Sequence, residues 1–303
     1  MSENTMRPTT FDDICGQDGV VERLRIMTTG CKDSGEVMPH VLIDGPPGLG
    51  KTTISSAIAN EIGTNMYTVN AASVRSPKNL IPYLLNMESG SILFIDEIHR
   101  LPKLVEEFLY PVMEDFKIDM LVENKPDSIQ LEKFTMVGAT TSGGSLSQPF
   151  YDRFTIKEHL SFYDYDVLAK LAGSNANKLG LNLTENEMIE IAKRSKGTPR
   201  ILNARLQWYK HYTNYYPEVT DINKVFESQG IDSNGFDSND ISYINVLKKN
   251  RCTPLGLNSI AGMTGIAMET IENSIEPYMV RMGYVVRTKK GRLLGSINTS
   301  KSL

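Results

Sequence analysis

Gly45-Pro46-Pro47-Gly48-Leu49-Gly50-Lys51-Thr52 follows the apolar run Val41-Leu42-Ile43 and precedes a helix-like segment. It therefore reads as the loop between a buried strand and a helix. Its glycines stand at the G-x-x-x-x-G-K-[ST] spacing, which lets consecutive backbone N–H groups converge on an anion where a Cβ would obstruct the turn. Gly45, Gly48 and Gly50 are the candidate cradle positions. Lys51 brings positive charge to the β- and γ-phosphates, Thr52 offers a hydroxyl to Mg²⁺, and the helix opening at about Lys51 adds its positive dipole end. An ordinary Gly/Pro turn has no need of Lys-Thr at its exit.

Outward from this loop, Ile92-Leu93-Phe94-Ile95-Asp96-Glu97 is an apolar strand that ends in two carboxylates. Such a pair alone often just reaches solvent, but coupled to the phosphate loop it specifies a P-loop ATPase. Asp96 is then placed to hold Mg²⁺ and Glu97 to polarise the water that attacks the γ-phosphate. Phe134-Thr135-Met136-Val137-Gly138-Ala139-Thr140-Thr141 reads as another buried strand ending in hydroxyls. Thr141 is favoured over Thr140 as the residue that senses the γ-phosphate, with a plain strand-exit cap as the open alternative. Asp152-Arg153-Phe154 follows a Gly/Ser-rich loop and Pro149, which suggests an Arg153 displayed at the surface, able to reach a neighbouring subunit's nucleotide. Gly197-Thr198-Pro199-Arg200 sets Arg200 in the first turn of a helix, where it can report the γ-phosphate by moving a helical domain.

The chain before residue 162 alternates β-like runs (40–43, 67–70, 91–95, 134–139) with helix-like segments, the order of a parallel sheet covered by helices. Residues 118–131 read as an inserted β-hairpin. After about Phe162 the pattern turns helical, and Thr184 with Glu187 forms a capping-box signature for a helix over 185–195. A linker at 230–235 leads to three helix-like segments (241–249, 258–262, 269–282) and a short ribbon around Lys289-Lys290-Gly291, a winged-helix pattern. The expected division is an α/β nucleotide-binding core over 1–162, a small helical lid over 163–230 and a winged helix over 231–303.

Composition excludes several classes. The chain is 40% hydrophobic and 22% charged, with no apolar run long enough to cross a bilayer and no signal-like amino terminus. Its three cysteines, Cys15, Cys31 and Cys252, lack disulfide or zinc spacing, so a cytoplasmic protein is expected. The net charge of −4 conceals an uneven distribution: residues 232–303 hold nine Lys/Arg against six Asp/Glu, an excess of three positive charges. An acidic body with a basic end is compatible with a nucleic-acid partner. The histidines at 40, 159 and 211 show no metal-ligand spacing and read as structural. Trp208 and the tyrosines around it read as helix packing.

Taken together, these motifs resemble the AAA+ ATPases and, within them, the RuvB family of Holliday junction branch-migration motors. The resemblance runs from Arg7-Pro8 through GPPGLGKTT, FIDEIHRL, VEEFLYPVMEDF, GATT, DRF, GTPRI and RTKKGR. It implies a homo-oligomeric ring, taken as a hexamer, that binds ATP and Mg²⁺ at its subunit interfaces and drives duplex DNA through four-way junctions during recombination and repair. It further implies nucleotide contacts from Arg7, Gly48, Lys51, Thr52, Thr53, Glu114, Asp115, Phe116, Tyr163 and Arg200, and Arg153 as a finger acting in trans. DNA contacts are implied from Arg287 and Arg292, beside the basic turn at Lys289 and Lys290. A RuvA-like junction-binding protein would dock on the hairpin over 118–131. Tyr151, Ser142 and Met268 stand where relatives carry basic residues. Two other classes compete: a clamp-loader-like assembly ATPase, which needs an all-helical carboxy-terminal collar, and a DNA-binding regulator that uses ATP as a switch.

Overall fold

The computed structural model describes residues 6–122, 125–219, 221–250 and 253–295. Its contacts divide the chain into two compact units. One, the core unit, comprises Arg7–Gly45 and Leu49–Ser161; the other contains Met6, Pro46–Gly48 and the described residues from Phe162 onward.

The core unit is a five-stranded sheet in the order β2-β3-β6-β1-β7, every pair parallel. Its strands are β1 (Val41–Asp44), β2 (Met66–Asn70), β3 (Ile92–Asp96), β6 (Thr135–Thr140) and β7 (Ile156–His159). The three central strands are buried almost throughout, as expected where helices cover both faces of a parallel sheet. These are the strands whose apolar runs are visible in the sequence. The fifth, β7, was not anticipated: Ile156-Lys157-Glu158-His159 carries polar groups because it is an edge strand with β1 as its sheet partner. Buried Glu158 is neutralised by Arg23 of α1 (Asp18–Ser34), whose guanidinium reaches both carboxylate oxygens at 2.8 and 2.5 Å. Helix α2 (Lys51–Ile62) leaves the phosphate loop, and α3 (Ile81–Leu85) precedes β3. Helix α4 (Lys103–Glu114) buries Val105, Leu109, Val112 and Met113, an i, i+4, i+7, i+8 stripe. After it, β4 (Lys117–Val122) and β5 (Lys125–Gln130) pair antiparallel, as the hairpin reading expected, and α5 (Gln148–Asp152) precedes β7.

His40 locks three of these elements. Its Nδ1 accepts the Met136 N–H of β6 at 2.9 Å, which leaves the proton on Nε2 to donate to the Met113 carbonyl at 3.0 Å. Burial pushes its pKa below the ordinary value despite the Met113 contact. The structural role expected of His40 thus has a specific form, a neutral imidazole joining β1, β6 and the end of α4. His40→Ala strands two buried backbone groups and is expected to cost about 2–4 kcal/mol. Because the folded pKa is depressed, this residue's contribution is complete above the unfolded value near ~6.5 and is lost as pH falls from there through the folded pKa. Urea midpoints measured from pH 7.5 to 5 should therefore decline more steeply for the wild type than for His40→Ala.

In the second unit, α6 (Tyr165–Lys178), α7 (Glu185–Lys193), α8 (Pro199–Tyr215) and α9 (Ile222–Glu227) form the helical segment. The capping box at Thr184 is present, with Thr184 N–H and hydroxyl donating to Glu187 Oε2 at 2.8 Å. Helix α10 (Ser238–Lys249) and α11 (Leu257–Thr264) follow, then α12 (Met268–Thr270), which runs through a π turn at Ile271–Ile275 into α13 (Glu276–Arg281). The ribbon of β8 (Val285–Thr288) and β9 (Gly291–Leu294) completes a winged helix around Tyr243, Ile260, Ile271 and Met279. Lys196, between α7 and α8, is buried between Asp237 and Asp240, and Tyr165 hydroxyl bonds Tyr278 hydroxyl at 3.0 Å. These polar ties explain why helical segment and winged helix fall in one compact unit.

Candidate functional site

The sheet register brings the candidate core residues to one edge. Asp44 lies opposite Thr140, and Ile95 opposite Gly138, so the carboxyl ends of β1, β6 and β3 finish level with one another. This is the edge at which parallel α/β sheets bind ligands. The loop after β1 needs its glycines: Gly45, Gly48 and Gly50 have φ of 140°, 81° and 101°, a region costly for residues with a Cβ. A Cβ on Gly45 would sit 2.5 Å from the Leu160 carbonyl oxygen. Gly50 is the N-cap of α2, and buried Lys51 donates from Nζ to the Gly45 carbonyl at 2.7 Å. Thr52 and Thr53 follow in the first turn, both half-buried.

Within the second unit, Gly48 packs on the lid motif. A Cβ there would approach Arg200 Cβ to 3.1 Å, and the Gly48 carbonyl accepts the Arg200 N–H at 3.3 Å. The Thr198 hydroxyl caps α8 on Ile201 N–H, while Arg200 itself is exposed. Buried Tyr163 donates its N–H to the Gly197 carbonyl at 2.9 Å.

Asp96 ends β3, and its Oδ1 accepts the Glu97 N–H at 3.0 Å. Glu97 adopts φ 53°, and its Oε2 lies 3.4 Å from His99 Nε2. The other ring nitrogen of His99 is 2.9 Å from Thr140 Oγ1, which also accepts the Ser142 N–H at 2.9 Å. Thr140, fully buried, thus joins His99 to Ser142, and Thr141 stands half-buried beyond the strand end. Sequence placed His99 after the carboxylates but gave no sign of the link to Thr140, a residue 41 positions away.

Arg153 departs from its expected display at the surface. Its side chain is 19% exposed, paired with Glu114 at 3.1 Å, donating to the Pro149 carbonyl at 2.7 Å and lying 4.1 Å over the Tyr110 ring. Its Nε is buried with no hydrogen-bond partner. A cleft of about 590 Å³ opens here between Met113, Glu114, Gln148, Pro149, Asp152 and Arg153. Tyr110 was not singled out from sequence, although it sits one helical turn from Glu114 and so shares its face. Asp115 is exposed, whereas Phe116 turns its ring against His40 and Phe134. Arg7 is exposed. Of the three departures, Tyr151 takes Lys157 Nζ over its ring at 4.3 Å, Ser142 uses its N–H on Thr140, and Met268 is exposed.

The wing holds two kinds of basic residue. Arg287 and Arg292 both clamp Glu276, whose carboxylate is fully buried: Arg287 Nε reaches Oε2 at 2.7 Å and Arg292 Nε reaches Oε1 at 2.8 Å. The Tyr243 hydroxyl donates to the same carboxylate at 2.8 Å, and the Arg292 side chain is only 16% exposed. Lys289 and Lys290, at the ribbon turn, are exposed. A count of basic residues cannot reveal that one buried acid neutralises part of them.

Comparisons with known proteins agree along the chain. The family models described as Holliday junction DNA helicase RuvB P-loop domain, RuvB AAA lid domain and RuvB C-terminal winged helix domain match residues 6–160, 163–233 and 233–300. The Holliday junction branch migration complex subunit RuvB of Rhodopirellula baltica is 40% identical over 298 residues, covering 95% of this chain and 81% of that protein. Its counterpart from a Nitratiruptor species is 40% identical over 299 residues, covering 96% and 89%. The solved Thermotoga maritima RuvB Holliday junction branch migration motor superposes with a TM-score of 0.87 at 34% identity, covering 96% of each chain.

Proposed function

The chain belongs to the RuvB family, and from that premise we propose that it is an ATP-driven motor that moves four-way DNA junctions by branch migration. It has the P-loop ATPase fold of that family, with a helical lid and a winged helix. The observation that carries the reading is the level strand edge at which β1, leading into Gly45, and β3, ending in Asp96, finish together, in the same chain as a winged helix with a basic turn. Among the described residues the carboxy-terminal segment carries a two-stranded ribbon, unlike the all-helical collar a clamp-loader-like factor needs.

The donor set fits a nucleoside triphosphate and Mg²⁺. A cradle that a Cβ would fill at Gly45, together with Lys51 and the start of α2, suits an anionic phosphate chain. Thr52 and Asp96 offer hard oxygen ligands, and among the described residues no cluster of three or more His, Cys, Asp or Glu could hold a metal alone. That suits Mg²⁺, which takes few protein ligands and keeps water and phosphate oxygens. When bound, the cation neutralises charge on the phosphates. Glu97 polarises the attacking water, Lys51 draws charge from the transferring group, and Arg200 in the lid registers the γ-phosphate. Arg7, Thr53, Glu114, Asp115, Phe116 and Tyr163 complete the nucleotide contacts, and Arg153 serves the neighbouring subunit in a ring, taken as a hexamer. The hairpin β4–β5 is the docking element for a RuvA-like partner. No helix among the described residues is long and apolar enough to cross a membrane, and the proposed setting is the cytoplasm.

ATP turnover on a synthetic four-way junction, with strand exchange scored beside it and with and without an accessory protein, tests the reading. Turnover without strand exchange under both conditions would overturn it. At the wing, Lys289→Ala is expected to weaken duplex binding about equally across sequences and to reduce the log–log salt slope by about one unit. Arg292→Ala leaves buried Glu276 with one cation fewer, so its first effect should be a lower melting temperature. Salt-titrated DNA binding and thermal melting of the two variants distinguish these outcomes.

A further inference from the structure

We propose that His99 is a positioning residue for Glu97, tying the hydrolytic carboxylate after β3 to the hydroxyl that ends β6. The proposal rests on the reading of Glu97 as the group that polarises water. Glu97 is a non-glycine residue at φ 53°, so the chain bends sharply where the strand stops. One 3-10 turn, Ile98–Arg100, follows, with Ile98 fully buried. This turn sets the His99 ring between two anchors: Nε2 lies 3.4 Å from Glu97 Oε2, and Nδ1 lies 2.9 Å from Thr140 Oγ1.

The proton inventory gives the network a direction. Thr140 Oγ1 accepts the Ser142 N–H at 2.9 Å and keeps its own hydrogen, which it donates to His99 Nδ1 in the tautomer that carries the ring proton on Nε2. The Nε2 proton then faces the carboxylate. In that tautomer the donors run from Thr140 through His99 toward Glu97. The far anchor cannot drift, because Thr140 is fully buried in a strand paired on both sides. The near contact of 3.4 Å is long for an N–H···O bond, so it restrains the carboxylate without locking it. Restricting the carboxylate before the chemical step removes disorder from that step. The effect belongs in kcat, since neither the His99 ring nor Thr140 Oγ1 belongs to the phosphate cradle.

The test is steady-state ATP turnover of the full chain with duplex DNA, alongside affinity for a fluorescent ATP analogue. His99→Ala should lower kcat about 10- to 100-fold, with KM and analogue affinity within about twofold of wild type. His99→Gln, whose amide replaces Nε2, should recover turnover to within about fivefold of wild type, a rescue that mere packing does not predict. Thr140→Val keeps the shape and removes the anchor, so it should lower kcat as well, and the double variant with His99→Ala should be no worse than His99→Ala alone. Equal losses in the Gln and Ala variants, a raised KM at unchanged kcat, or additive losses in the double variant each overturn the proposal. If His99→Ala does not fold, the near-isosteric Thr140→Val decides: unchanged kcat overturns the proposal. A wild-type chain that hydrolyses ATP but moves no junction would sink the branch-migration reading and leave the role of His99 standing.

Discussion

Arg153→Ala is expected to lower kcat for ATP by about 10³- to 10⁵-fold, while each subunit still binds nucleotide at its own phosphate loop. A loss of that size corresponds to about 4–7 kcal/mol of transition-state stabilisation. The contacts that hold the guanidinium in the subunit are individually weaker. Its pairing with Glu114, which is 57% exposed, is worth about 0–1 kcal/mol, and the stacking on Tyr110 about 0.5–1 kcal/mol. The charge-assisted hydrogen bond to the Pro149 carbonyl adds about 1.5–3 kcal/mol, so moving the finger onto a neighbour's phosphoryl group offsets only part of the gain. The measurement is turnover in mixed assemblies of Arg153→Ala and Lys51→Ala subunits. Each parent lacks one half of the site, so activity should reappear on mixing, at interfaces where an intact loop meets an intact finger. No recovery on mixing, with both variants shown to assemble, would mean that Arg153 acts within its own subunit.

Glu97→Gln should lower turnover by about 10²- to 10⁴-fold and leave ATP-analogue affinity near the wild-type value. The substitution keeps the shape and the 3.4 Å contact distance to His99 but removes the charge that polarises water. Asp96 behaves differently, because it would carry cation binding: Asp96→Asn should weaken Mg²⁺-dependent nucleotide binding as well as turnover. The two variants are compared by analogue titration at several Mg²⁺ concentrations. Equal effects on affinity would show that the two carboxylates share the metal rather than dividing metal and water between them.

Both predictions concern residues that the sequence pointed to, yet the fold was legible only in part. The strands β1, β3 and β6 could be read because a strand buried on both faces must be apolar without interruption. The edge strand β7 could not: Lys157, Glu158 and His159 look like loop residues until β1 on one side and Arg23 beneath explain them. Arg153 was found by its place after a Gly/Ser-rich loop, but the expectation of a solvent-displayed side chain failed because Tyr110 and Glu114, on a helix some forty residues earlier, fold against it. The wing arginines show the same limit. Their basic character is visible in the chain, whereas their capture by Glu276 depends on a helix and a ribbon folding together.

The sequence by itself determined the chemistry that neighbours along the chain can supply: a glycine cradle ending in Lys51-Thr52, a strand ending in Asp96-Glu97, a capped lid helix behind Gly197-Thr198-Pro199-Arg200, and a basic ribbon turn. Each depends on spacing within a few residues, where backbone geometry fixes what lies beside what. Tertiary structure alone decided which side chains meet across the molecule, as with His40 on Met113 and Met136, or His99 on Thr140. The physical reason is that a hydrogen bond needs its atoms within about 3 Å, a proximity that folding creates between residues far apart in the chain.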